Sequence, residues 1–383
     1  MQGSFEDIRD AVAKLCARFP GEYWRRLDQA REYPAEFVAA LGEAGYLALL
    51  IPEAYGGSGL GLEAAAAVLE EIHASGCNGA ACHAQMYTMA TLLNHGSDAQ
   101  KQRYLPAIAA GELRLQAFAV TEPDSGTDTT RILTTARMDG DDFVVNGRKV
   151  FISRVEHSDL MLLLARTAPR EAGARRTDGL SVLLVELDSA IGKGLDVTPL
   201  RTMINHASTE LRIADLRVPA GNLIGEEGQG FRYILDSMNA ERILIAAECI
   251  GDARWFVGRA ARYASEREVF GRLIGQNQAI QFPIARAHIE AEAAALMVQR
   301  AARRFDAGLS CAAEANMAKL LAADASWHAA EACMQTFGGY GFAEEYDVER
   351  KFRETRLYQV APISTNLILS YVGTHELGMP KSF

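Results

Sequence analysis

The sequence lacks any C-x-x-C pair. Its six cysteines (Cys16, Cys77, Cys82, Cys249, Cys311 and Cys333) are scattered, which argues against a disulfide framework and fits reduced thiols in a cytoplasmic protein. No uncharged apolar run approaches the roughly 18 residues that a membrane span requires. The first residues do not follow the basic-then-apolar order of a secretion signal, because Glu6, Asp7, Arg9 and Asp10 interrupt them. No long basic run offsets the formal net charge of -10, so nucleic acid is not an expected partner. Neither G-x-G-x-x-G after a strand nor G-x-x-x-x-G-K-[ST] is present, which disfavours a dinucleotide-binding Rossmann unit or a P-loop. The absence of H-E-x-x-H or any clustered His/Cys spacing leaves no metal expected. Ser58 sits in a glycine cluster, yet Leu60 breaks the G-x-S-x-G pattern of a nucleophile elbow.

What is present is an ordinary globular composition, 49% apolar and 23% charged over 383 residues, enough for two or three domains. Residues 1–112 read as helices. Pro34 falls at a first helical turn, and Ser97-Asp98-Ala99-Gln100 has the form of a capping box. Residues 113–226 change to an alternating, strand-like pattern. Asp139-Gly140 and Asn146-Gly147 are hairpin turn signals between Ile132–Met138, Phe143–Val145 and Arg148–Ser153. Leu160–Arg166, Leu180–Leu187 and Glu210–Val218 continue as strands, with a polar loop around Arg170–Arg176. Helical periodicity returns over 227–383, broken at Phe270-Gly271 and Gly308-Leu309. The expected fold class is therefore mainly α with a central antiparallel β domain, in the order helical, β, helical. This is not a βαβ alternation.

One residue breaks the pattern of its own helix. Phe231, Ile234, Leu235, Met238, Ile245 and Cys249 mark the buried stripe of a long helix, and Glu241 falls in phase with them. A carboxylate directed into apolar surroundings is expected to become more basic, which suits proton abstraction beside a carbonyl. The alternative is a Glu at the edge of the stripe paired with an Arg such as Arg242.

Several separated segments carry a resemblance. They are Pro52–Gly59 (P-E-A-Y-G-G-S-G), Ala119–Asp128 (A-V-T-E-P-D-S-G-T-D), Asn146–Lys149 (N-G-R-K) with Phe151-Ile152-Ser153 after it, Glu266–Gly271 (E-R-E-V-F-G), Gln278–Phe282 (Q-A-I-Q-F) and Gln335–Gly341 (Q-T-F-G-G-Y-G). In this order they resemble the acyl-CoA dehydrogenase family of flavoproteins, and they span nearly the whole chain. The resemblance implies an N-terminal helical domain, a middle β domain and a C-terminal four-helix bundle. FAD is implied as the cofactor, held between the β domain and the bundle, in a homotetramer built from dimers. It implies that Phe118, Val120 and Thr121 face the flavin, with Thr121 at its pyrimidine edge. Phe151 takes the place of an aromatic, usually Trp, beside the ring, and Ser153 that of a Thr near N5. Arg267 and Gln278 match residues that meet the diphosphate across a subunit interface where Phe270 packs. Gln335, Gly338 and Gly339 match another cofactor-contacting loop, Ser364 and Asn366 fall with the cofactor, and Thr127 and Arg242 with the substrate.

The implied reaction is removal of an α-proton from an acyl-CoA thioester while a β-hydride passes to flavin N5, the electrons then leaving to an electron-transfer flavoprotein or similar acceptor. Most of the family places the base in a Tyr-Glu-Gly-Thr-like segment. The matching stretch here is Tyr358–Asn366, and Pro362 stands where that Glu would be. A minority arrangement, seen in isovaleryl-CoA and long-chain acyl-CoA dehydrogenases, carries the base on the long helix just before an Arg, and Glu241-Arg242 matches that pair. Pro362 also lacks the N–H that the family uses at the thioester carbonyl, so Ile363 or Ser364 is left to donate, or the flavin ribityl hydroxyl acts alone. An acyl-CoA oxidase or flavin monooxygenase, and a non-catalytic acyl-CoA or flavin binder, are alternatives on the same fold.

Overall fold

The computed structural model describes residues 5–169 and 175–381; part of the expected polar loop, 170–174, lies outside them. In chain order the helices α1 (Glu6–Cys16), α2 (Gly21–Ala30), α3 (Ala35–Glu43), α4 (Leu62–Ala74), α5 (His83–His95) and α6 (Asp98–Ala109) come first. Strands β1 (Leu115–Ala119), β2 (Thr135–Asp139), β3 (Asp142–Ser153), β4 (Leu160–Arg166) and β5 (Leu180–Glu186) follow. A short α7 (Leu187–Ala190) then precedes β6 (Leu195–Pro199), β7 (Ser208–Pro219) and β8 (Leu223–Ile224). The long α8 (Gly230–Glu266), a β9–β10 ribbon (Glu268–Val269 and Arg272–Leu273), α9 (Gln278–Asp306), α10 (Ala312–Phe337), α11 (Val348–Arg356) and α12 (Thr365–Tyr371) complete the chain. The order is helical, β, helical, as expected. The chain divides into two compact units: Ala35–Leu60 with Ala80–Met238, and the chain up to Pro34 with Gly61–Gly79 and everything from Asn239 onward.

The first unit is built on a sheet in the order β6-β7-β3-β2-β4-β5-β8, with β1 beside β4. It is mixed rather than wholly antiparallel, since β1 and β2 both run parallel to β4. One of these pairings comes from β1, which joins the sheet directly after α6 and was not among the expected strands; β6 and β8 were also unexpected. Strands β4 and β5 are near-continuous apolar runs because both faces are covered. Met161, Leu163 and Ala165 enter one core, and Leu160, Leu162 and Leu164 enter the other with α5 and α6 residues such as Met89, Leu92 and Leu105. Ser97 and Gln100 form the capping box of α6 in both directions.

Asn146-Gly147 is not a turn. Strand β3 passes straight through it, with a bulge against β7 between Val145 and Gly147. Asn146 exchanges hydrogen bonds with the backbone and side chain of Asp215, and a Cβ at 147 would sit 2.3 Å from Thr134 Oγ1. The glycine serves close approach of a neighbouring segment, a different use of the same dipeptide. Asp139-Gly140 does lead the β2–β3 turn, with Gly140 at φ 64°.

In the helical unit, α9 buries Ile284, Ala287, Ala291, Ala294 and Val298 at three- and four-residue spacing. It packs on α10, whose buried side chains include the small Ala315, Ala318, Ala322 and Ala325. Helix α8 is buried nearly all round from Ile243 to Ile250. That weakens the stripe inferred from its sequence: Leu235 is 39% exposed, and Glu241 is half-buried rather than enclosed.

Candidate functional site

In the sheet unit the structure gathers five of the expected cofactor residues around two adjoining strand ends. Strand β1 delivers Phe118, then Val120 and Thr121 as it leaves the sheet. Beside it the Val150 N–H donates to Thr121 O at 3.0 Å. Phe151 follows in a left-handed conformation, φ 58°, at a second bulge of β3 against β7, and is 62% exposed. Ser153 closes the strand, paired with Ser208. A bulky residue held at positive φ costs of order 1–3 kcal/mol. Thr127 lies on the exposed loop that follows Glu122.

Lys149 holds this corner together. Its ammonium is fully buried and donates to Val120 O and Glu122 Oε1, both at 3.0 Å. Glu122 also accepts from the N–H groups of Leu133 (2.6 Å) and Thr134 (3.0 Å). Burial pushes Lys149 down to about 8, with Glu122 opposing the fall. Burial works against the ionised Glu122 as well, but Lys149 and the two N–H donors outweigh it and leave its carboxyl below the usual range. Sequence reasoning missed Lys149. Its signal was there: Phe143, Val145 and Lys149 are buried on one two-residue phase of β3, with half-buried Gly147 between the last two.

In the helical unit Glu241 and Arg242 are both half-buried on α8. Arg242 donates to Asn239 Oδ1 at 3.0 Å; burial lowers its guanidinium, and attraction to Glu241 offsets part of that. Lys319 of α10 is buried and donates to the carbonyls of Tyr358 (2.6 Å) and Ile363 (3.0 Å). Burial lowers its ammonium, with Cys249, Asp324 and Glu241 opposing the fall. Tyr358 donates to Glu248 at 2.9 Å, and further in His73 Nδ1 lies 2.9 Å from Asp252, which also pairs with Lys351. The stretch that bears Pro362 is thus anchored on buried charged groups. Lys319 was also missed, although it shares the phase of Ala315 and Ala322 on the buried face of α10.

A groove of about 940 Å³ in the same unit is lined by Arg267, Phe270, Arg272, Asn277, Tyr340 and Gly339, among others. The β9–β10 ribbon turns through Phe270 (φ 52°) and Gly271 (φ 73°), both left-handed as the tightest hairpins require. The turn holds the Phe270 ring fully in solvent. Arg267 stacks 5.9 Å from the Tyr340 ring centroid, and exposed Gln278 opens α9 beside Asn277. Gly338, at φ 57°, ends α10 next to the groove residue Gly339. Gln335 is separated from this group: it lines another groove, of about 490 Å³, with Arg286, Glu290, His328 and Phe352. Ser364 caps α12 by accepting from Leu367 N at 3.4 Å, and Asn366 is exposed on that helix.

Among the described residues no helix is long and apolar enough to cross a membrane, and no group of three or more His, Cys, Asp or Glu could hold a metal ion.

These features define a flavoprotein dehydrogenase fold, and the chain belongs to the acyl-CoA dehydrogenase family. Its N-terminal, middle and C-terminal domain models match residues 4–112, 117–216 and 228–362. Members of this family are FAD flavoproteins. Acyl-CoA dehydrogenase FadE12 of Mycobacterium tuberculosis is 37% identical over 383 residues, 98% of this chain and 96% of its own. Glutaryl-CoA dehydrogenase of Desulfococcus multivorans is 33% identical over 386 residues, 98% of this chain and 96% of its own. Among solved structures, a glutaryl-coenzyme A dehydrogenase in complex with glutaryl-CoA superimposes with TM-score 0.92 at 30% identity, covering 100% of this chain and 97% of that one. Butyryl-CoA dehydrogenase from Megasphaera elsdenii gives 0.89 at 28% identity, covering 98% and 100%.

Proposed function

We propose that this protein converts an acyl-CoA thioester to the 2-enoyl-CoA, with Glu241 as the base that removes the α-proton. The observation that carries the assignment is the pairing of two positions: Pro362 has no group that takes a proton, while Glu241 offers a half-buried carboxylate on a long, rigid helix, within electrostatic reach of Arg242 and Lys319. Membership of the acyl-CoA dehydrogenase family supports the reaction class.

The residues fit FAD. Phe151 and Phe270 are two exposed rings held at positive φ, suited respectively to packing by the flavin and in a subunit interface. Thr121 and Val120 sit at the fixed corner that Lys149 ties down, where they orient the ring. Arg267 and Gln278 flank a groove large enough for a diphosphate and supply donors to it. Bound FAD supplies the acceptor for the β-hydrogen. Glu241 takes the α-proton and keeps it while product forms; Arg242 and Thr127 contact the substrate. The enzyme passes its electrons to a separate flavoprotein acceptor and works as a homotetramer, in which Arg267, Gln278 and Phe270 serve a neighbour's cofactor. Of the three expected domains, 1–112, 113–226 and 227–383, the second carries the cofactor corner and the third the base.

An anaerobic screen of the purified yellow protein against acyl-CoA thioesters of varied length and branching tests the reading. Bleaching of the flavin by at least one thioester is expected. A flavin reduced only by a substrate lacking CoA would defeat it.

A further inference from the structure

The arch from Tyr358 to Ser364 has few free backbone donors. Val360 N–H and Ala361 N–H both turn back to Leu357 O, at 3.0 and 2.9 Å, and Pro362 has no N–H. The N–H groups of Ile363 and Ser364 make no hydrogen bond to another described residue. Lys319 distinguishes between them. Its ammonium lies 3.0 Å from the carbonyl oxygen of Ile363, which belongs to the same peptide unit as the Ser364 N–H. That peptide is trans, so its N–H points away from the oxygen that Lys319 holds. A cation on the oxygen fixes the plane of the amide and polarises it, which makes the N–H a stronger donor. The second bond, to Tyr358 O at 2.6 Å, pins the other end of the arch to the same nitrogen. Lys319 is buried and held by these two hydrogen bonds, and Glu241 is among the charges that act on its ammonium.

We propose that the Ser364 N–H donates to the thioester carbonyl oxygen as enolate charge develops, and that Lys319 is the positioning residue that orients and polarises its peptide. This rests on the acyl-CoA reading above, and it moves the oxyanion donor two residues along from the position that proline occupies.

Ser364 has φ -70° and ψ 147°, values that proline adopts without strain. Ser364→Pro therefore deletes the N–H, while Ser364→Ala deletes the hydroxyl cap of α12 and keeps the N–H. Both would be compared as FAD-loaded enzyme, with Lys319→Met and Lys319→Arg. Two quantities are read: the rate of flavin reduction at saturating acyl-CoA, and the infrared carbonyl stretch of bound 1-¹³C-enoyl-CoA. Ser364→Ala, which keeps the N–H, should reduce its flavin faster than Ser364→Pro and shift the carbonyl stretch less. Ser364→Pro should lose roughly 10²–10³-fold in rate, the usual cost of one oxyanion donor, with FAD content and enoyl-CoA affinity retained and the carbonyl stretch shifted towards its value in water. Lys319→Met should move the stretch the same way, and Lys319→Arg should recover part of it. Equal rates for Ser364→Pro and Ser364→Ala overturn the proposal. If Ser364→Pro fails to hold FAD, an unchanged carbonyl stretch in Lys319→Met overturns it instead. Failure of the underlying reading shows up separately, as wild-type flavin that no acyl-CoA bleaches, and the proposal then falls with it.

Discussion

Lys149 and Glu122 offer the most direct test of how the sheet unit is built for its cofactor. Lys149→Met keeps chain length and apolar volume but leaves Glu122 with its charge, buried, and only the Leu133 and Thr134 N–H groups to satisfy it. Val120 O also loses its partner. Breaking a buried pair from one side costs about 3–5 kcal/mol, most of it the stranded charge. Glu122→Gln strands the ammonium instead and should cost a similar amount. The double variant strands neither charge, and its amide oxygen still accepts from one N–H, so its cost should fall about 2–3 kcal/mol short of the sum. Because Val120 and Thr121 leave β1 at this point, both single variants should also release FAD more readily. Urea unfolding at fixed FAD concentration, followed by circular dichroism and flavin fluorescence, measures both effects; the concentration is held because ligand binding shifts the midpoint. Additivity within about 0.5 kcal/mol, with FAD affinity unchanged, would refute the pair as the tie that sets this corner.

The pH dependence of the same pair has a defined sign. Lys149 sits at about 8 in the folded protein against an ordinary 10.5, so between those values the unfolded chain binds more protons and this group makes stability rise with pH. The rise, at most ~3 kcal/mol, should be read as the difference between wild type and Lys149→Met from pH 8 to 10.5; a falling difference contradicts the assignment. Glu241→Gln should keep folding and FAD content and slow flavin reduction by ~10²–10⁴-fold; reduction at the wild-type rate in stopped flow places the base elsewhere. Arg267→Ala removes a guanidinium from the 940 Å³ groove and should lower the flavin-to-protein absorbance ratio after gel filtration. An unaltered ratio denies Arg267 a part in holding FAD.

Much of the architecture was legible because it rests on period and composition. The double-sided apolar runs of β4 and β5 and the Ser97–Gln100 box needed no tertiary information. The errors arose where one local signal serves two structures. Asn146-Gly147 reads as a hairpin turn, but the close approach of Thr134 and the Asp215 bonds use the same two residues inside a strand. Helix α8 misled in a different way. Its burial on nearly every side erases the contrast on which a stripe depends, so Leu235 came out exposed and Glu241 half-buried. Lys149 and Lys319 kept the phase of their buried neighbours. A lysine in phase is ordinarily discounted, since nothing in the sequence shows that Glu122, or the carbonyls of Tyr358 and Ile363, will meet it. The motif groups Gln335 with Gly338 and Gly339, while α10 carries it to a groove other than the one that Gly339 lines.

The relation between Pro362 and Glu241 has a further consequence in the proposed reading. A single loop residue that supplies a carboxylate from its side chain and a donor from its backbone ties base strength to loop geometry, because any shift moves both. Here the two tasks are divided. Glu241 is set by the hydrogen-bond ladder of α8, and the Ser364 peptide by the Lys319 ammonium. Each can then be disturbed without displacing the other, and Ser364→Pro should leave the pH profile of flavin reduction unshifted while Glu241→Gln removes its carboxylate limb. Both groups nevertheless serve one transition state, in which the α-proton leaves as negative charge reaches the carbonyl oxygen. Their combined loss should therefore be smaller than the product of the separate losses: without a base, little enolate charge develops for the N–H to stabilise. Independent, multiplicative losses would mean that the arch and Glu241 act in different steps, and the division of labour argued from Pro362 would not hold.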